Sequence, residues 1–147
     1  MARPCPSILS AHYIIGQDGR IAQLVSEDDT AYHAGRFAVN LRSIGIEHEA
    51  GPAMAPTAGL YAASARLHLD IARRHALDLS VGTTVLPHRA IVPTECPGTL
   101  DLERIVREAE EEAAARLQRW LARAIRSVFP NADVGGPDVE TGQSFKS

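Results

Sequence analysis

Neutral imidazole and thiolate are the ligand types zinc favours, and one short segment offers both. Pro87-His88-Arg89-Ala90-Ile91-Val92-Pro93-Thr94-Glu95-Cys96-Pro97-Gly98 opens on a histidine and closes on Cys-Pro-Gly across a seven-residue loop. Its prolines stiffen the loop and lower the entropy lost in bringing both donors to one ion. The plainer alternative is that His88 caps a strand and Cys96 is a small buried hydrophobe. A second cluster is Glu47-His48-Glu49. Strand alternation sets Glu47 and Glu49 on one face, where a carboxylate beside an activated water would act as general base. A solvent-facing strand edge would give the same pattern. The third cluster joins His12-Tyr13 to Tyr32-His33, which either line a pocket or pack together. His68 and His75 lie about two helical turns apart, too far to chelate one ion together, and read as surface or packing residues.

These side chains need elements to hold them. Gly16-Gln17-Asp18-Gly19-Arg20 is a hairpin turn between strands at Ser10–Ile15 and Ile21–Val25. Residues 26–41 are polar and mixed and read as loop. Residues 43–49 alternate as a strand, with Ile44, Ile46 and His48 on the face opposite Glu47 and Glu49. Thr57 is an N-cap for a helix whose apolar positions Leu60, Ala63, Leu67, Ile71 and Ala72 recur at helical spacing and end near residues 75–77. The β-formers Val81, Thr83, Thr84 and Val85 predict a buried strand over 79–86, closed by Pro87. Residues 101–129 form the longest element, with acids at Glu108, Glu110, Glu111 and Glu112 and bases at Arg116, Arg119, Arg123 and Arg126. That order complements the helix dipole. Its apolar stripe offers a surface for homo-oligomer formation. Pro130 stops the helix, and residues 130–147 read as a flexible tail. Strands alternating with helices give an α/β architecture, a mixed β-sheet flanked by helices with a long C-terminal helix.

The 147 residues suit one domain, residues 1–129, with a sizeable core. A net charge of −3 gives no electrostatic footprint for nucleic acid. No apolar run approaches the roughly 20 residues of a membrane span. Pro4 and Pro6 argue against a signal peptide. Cys5 and Cys96 are too few for a disulfide framework.

Taken together, the clusters resemble a known family. Residues 10–25 are similar to the hairpin of type 2 N-acetylmuramoyl-L-alanine amidases, a superfamily that includes peptidoglycan recognition proteins and phage endolysins. Ala31-Tyr32-His33-Ala34-Gly35 resembles the next motif, aromatic-His-Ala-Gly. Asn40-Leu41-Arg42-Ser43-Ile44-Gly45-Ile46-Glu47 resembles the Ser-Ile-Gly-Ile-Glu strand, and residues 88–98 resemble the metal loop. The resemblance implies a zinc (Zn2+) hydrolase that cuts the amide between N-acetylmuramic acid and L-alanine of peptidoglycan or a muropeptide. It implies that His88 and Cys96 are the second and third zinc ligands, that Glu47 activates water and that Thr94 stabilises the oxyanion. His33 and Asn40 would lie near the substrate groove, and His12 is not implied as a ligand.

One departure stands out. The family takes its first zinc ligand from a histidine on a strand ahead of the hairpin, and no histidine precedes His12 here. Three readings compete: the chain is an N-terminally shortened member, Cys5 or His12 completes the site, or the metal site is abandoned and the groove only binds muropeptide.

Overall fold

The computed structural model describes residues 10–51 and 53–130. Three short strands, β1 (Tyr13–Ile15), β2 (Ile21–Gln23) and β3 (Ile46–His48), form one mixed sheet in the order β2-β1-β3. β1 runs antiparallel to β2 and parallel to β3. The remaining elements are α1 (Phe37–Asn40), α2 (Ala58–His75), a 3-10 turn (His88–Ala90) and α3 (Leu102–Val128). This is the mixed sheet with helices and a long final helix that the sequence predicts. The chain divides into two compact units, Met1–Ala113 and Ala114–Ser147. No helix among the described residues is long and apolar enough to cross a membrane.

The strands are shorter than their sequence patterns because of a bulge at His12. Its carbonyl accepts from both Leu24 N (2.8 Å) and Val25 N (3.4 Å), while the Gly45 carbonyl accepts from both His12 N and Tyr13 N. Doubling of acceptors on both sides ends regular pairing there. Ile15 and Tyr13 point inward from β1 and meet Leu60, Ala63, Leu67 and Ile71 from one face of α2. Ile105 and Leu100 close the same core, and Ile15, Leu60 and Ile105 are fully buried. Each such side chain contributes about 1.5–3 kcal/mol by leaving water.

α2 starts where expected, because the Thr57 side chain accepts a hydrogen bond from Leu60 N at 3.1 Å. It ends at Ala76, which takes a left-handed conformation. Gln17, in the hairpin turn, ties this start to the sheet. Its backbone N–H donates to the Glu49 carboxylate, and its side-chain amide donates to the Glu49 carbonyl. Its side-chain carbonyl accepts from Thr57 N, and its own backbone carbonyl accepts from the Thr57 hydroxyl.

Two expectations fail. Residues 26–41 are not all loop, because α1 makes a single turn at their end, too short for a helical period to be read. Residues 79–86 are not a buried strand. Only the bridge Val81↔Val85 forms, within a tight turn around Gly82 at φ +85°. The Thr84 hydroxyl accepts from Ser80 N and donates to the Asp78 carbonyl, so local side-chain bonding overrides β propensity. The expected tail lies, apart from Pro130, outside the described residues.

Candidate active site

The site begins with the sheet. His12 is buried beneath it, and both ring nitrogens are engaged: Nδ1 accepts from Gly45 N at 2.9 Å and Nε2 bonds the Asp29 carbonyl at 3.2 Å. Since a backbone N–H can only donate, Nδ1 is the acceptor and Nε2 carries the proton. His12 therefore pins loop to sheet and is not free to complete a metal site. Its ring meets His33 edge-on at 5.6 Å between centroids. The cluster thus packs histidine against histidine, while Tyr32 stacks on Phe37.

Two features hold His33. Buried Asn40 accepts from His33 N (3.3 Å) and Ala34 N (2.8 Å) through Oδ1. Gly45 supplies the room, since a β-carbon there would overlap the His33 ring. Burial holds the His33 imidazole below its ordinary range, a bond to Ser43 opposes this, and His12 and His88 reinforce it. Asn40 thus positions His33 from beneath rather than facing outward.

The loop of His88 lies against that of His33. Gly35, at φ +69°, comes so close to Val92 that a β-carbon would sit 3.3 Å from it and 3.9 Å from His88 Nε2. Arg36 Nε donates to the Ile91 carbonyl at 2.9 Å, bracketing the two loops together. The 88–98 loop is itself closed, because Arg89 N donates to the Cys96 carbonyl at 3.1 Å. His88 and Cys96 therefore stand at the two ends of one cinched loop. Thr94 is exposed, and its hydroxyl oxygen accepts from Cys96 N at 3.3 Å.

Glu47 is exposed on β3, close enough to Cys96 for its charge to act on the thiol. Burial pushes the Cys96 thiol up, and the negative charge of Glu47 adds to this. Glu49 shares a face with Glu47 by alternation but is committed to Gln17. The structure therefore separates two carboxylates that the sequence treats alike.

The donor chemistry can be tested against zinc on one observation. His88 Nε2 is buried and has no hydrogen-bond partner. An orphaned imidazole nitrogen of this kind is what a metal ligand looks like before its ion arrives. His88 and Cys96 fit two positions of a zinc site. A catalytic zinc uses three protein ligands, and no group of three His, Cys, Asp or Glu side chains suited to a metal occurs among the described residues. Cys5 lies outside them.

Sequence reasoning gave no role in the site to Gly45 or Arg36 and read Gly35 only as a turn and motif residue, which its φ of +69° agrees with. The lack of a side chain at Gly45 leaves only a weak trace in a sequence, and the Arg36–Ile91 bracket spans 55 residues.

Comparison with known proteins agrees with this geometry. A family model described as N-acetylmuramoyl-L-alanine amidase matches residues 3–99. The crystal structure of a selenomethionine derivative of AmpD is 31% identical with a TM-score of 0.60, covering 68% of this chain and 59% of that one. The N-acetylmuramoyl-L-alanine amidase LysC from Clostridium intestinale URNW is 24% identical with a TM-score of 0.57, covering 65% and 60%. AmiD from E. coli, an N-acetylmuramyl-L-alanine amidase solved with anhydro-N-acetylmuramic acid-L-Ala-D-gamma-Glu-L-Lys, is 24% identical with a TM-score of 0.60, covering 69% and 48%. The chain thus spans about half to three-fifths of the length of these structures. No curated protein matches the sequence. With the family model covering well over half of the chain and a 31% identical structure matching 68% of it, the chain belongs to the N-acetylmuramoyl-L-alanine amidase family.

Proposed function

We propose that this chain acts on peptidoglycan or muropeptides as a zinc-dependent amidase, cleaving the bond between N-acetylmuramic acid and L-alanine. The observation that carries this reading is the buried, unpartnered His88 Nε2 at one end of a loop cinched to Cys96. His88 and Cys96 would hold the ion. When bound, zinc would supply Lewis-acid activation of the amide carbonyl.

The other steps belong to the chain's own groups. Glu47, exposed beside Cys96, takes a proton from the attacking water as its oxygen bonds to the carbonyl carbon. The same carboxyl then delivers that proton to the departing nitrogen of L-alanine as the C–N bond breaks. The products are a lactyl carboxylic acid and a free amine. The Thr94 hydroxyl accepts from Cys96 N, which leaves its own proton free to donate to the developing oxyanion. His33 and Asn40 border the groove, Asn40 by holding the His33 backbone.

A second reading is favoured by the two-donor count among the described residues. In it, the groove binds muropeptide without cutting. Purified protein incubated with cell-wall muropeptides, with zinc content measured in parallel, separates the two. Release of free L-alanine amino termini, lost in Glu47→Ala with muropeptide binding kept, supports the amidase. Binding without hydrolysis in zinc-supplemented protein overturns it in favour of the binding module.

A further inference from the structure

The second unit begins at Ala114, and the end of α3 within it has a composition unlike the rest of the chain. Residues 114–129 contain Arg116, Arg119, Arg123 and Arg126 and no acidic residue, in a chain that is net −3 overall. The helix continues to its end, with Phe129 N donating to the Ile125 carbonyl at 2.8 Å. At about 100° per residue, the four arginines share roughly 80° of arc. Leu117, Leu121, Ile125 and Val128 lie opposite, and Trp120 and Phe129 sit at the margins. All six apolar side chains are uncovered, between 41% and 67% exposed.

We infer that residues 114–129 are an interfacial anchor that lays this apolar face on an anionic phospholipid bilayer. The physical case is the coincidence of an exposed apolar stripe, an aromatic at each margin and a cationic opposite face. Such a helix rests in the headgroup region rather than crossing the membrane. Charge decides between occupants. A symmetric pairing through the apolar stripe leaves both sets of arginines facing water on the outer sides and gains nothing from their charge. An anionic surface attracts all four, and each arginine near it contributes about five-fold in binding. The long arginine stems also cover apolar surface while their heads stay in water. This anchoring is independent of the amidase chemistry.

Trp120 is the sole tryptophan, so its emission reports on this face alone. The full chain is titrated with vesicles containing phosphatidylglycerol and, separately, with vesicles of phosphatidylcholine alone. The expected result is a blue shift of Trp120 and co-sedimentation with the anionic vesicles only, reversed by high salt. Arg123→Gln with Arg126→Gln should weaken partitioning about 25-fold, with far-ultraviolet circular dichroism unchanged. Leu121→Glu should abolish it. Failure of the wild-type chain to co-sediment with phosphatidylglycerol overturns the inference. So does wild-type affinity in the double arginine variant. A concentration-dependent dimer by sedimentation velocity, with Trp120 already blue-shifted in the absence of lipid, would assign the stripe to self-association instead.

Discussion

Acid should loosen this protein at one identifiable joint, where β3 meets α2. His48 Nε2 lies 2.8 Å from the buried Ser64 hydroxyl, which lies 3.3 Å from His68 Nδ1. Burial holds the His48 imidazole at about 4, and the facing His68 adds to this. His68 is itself held low by burial, against a bond to the Ser64 carbonyl. An unfolded histidine titrates near 6.5. Below that pH the unfolded chain binds the extra proton and the folded chain does not, so stability falls as pH falls. The His48 contribution is complete above about pH 6.5 and gone below about pH 4. Between about pH 7.5 and 5 it amounts to about 2 kcal/mol. Urea unfolding at both pH values, for the wild type and for His48→Leu, measures it. Leucine fills a similar volume and does not titrate, so the variant should lose about 2 kcal/mol less than the wild type over the same interval. An equal loss in both proteins would refute the assignment of the acid sensitivity to His48.

Gly45→Ala should displace the His33 ring, which a β-carbon would overlap, and cost about 1–3 kcal/mol. The His33 imidazole resonances, followed by nuclear magnetic resonance, would report the shift, and an unmoved ring would contradict the packing described. Asn40→Ala leaves two backbone N–H groups without their acceptor. It should lower stability by about 1–3 kcal/mol in urea, whereas Asn40→Asp, which keeps an acceptor, should lose less. Glu27 accepts from Tyr13 and pairs with Arg74 and His75, and the Arg74 bond leads in holding its carboxyl near 2. Glu27→Ala should therefore destabilise the protein by about 2 kcal/mol at neutral pH. Since a depressed carboxyl contributes only while ionised, that difference should vanish as pH falls toward 2.

Much of this was legible in the chain itself because the informative signals were local. Asp18-Gly19 specified the hairpin, Thr57 the start of α2, and the apolar spacing of Leu60 to Ile71 the face that meets the sheet. The order of four motifs pointed to the family now matched over residues 3–99. What stayed hidden depends on partners far along the chain. Alternation put His48 on the apolar face with Ile44 and Ile46, but its partners Ser64 and His68 lie 16 or more residues away and left no local sign. Glu47 and Glu49 were equivalent until Gln17 engaged one of them. Residues 79–86 were misread because β propensity assumes a neighbouring strand. Thr84 instead satisfied the backbone locally.

The bonds of Gln17 bear on where this chain will accept foreign sequence. Tips of hairpins are habitual places to graft a tag or split a protein, since they are exposed and short. Here the tip fastens both the end of β3 and the first turn of α2. An insertion between residues 16 and 20 would unfasten two elements at once. The turn at 82–83 makes no such long-range bonds among those described, and both its residues are exposed. It is the better graft point, and a circular permutant opened there should keep the sheet, α2 and the His33 loop in one uninterrupted stretch.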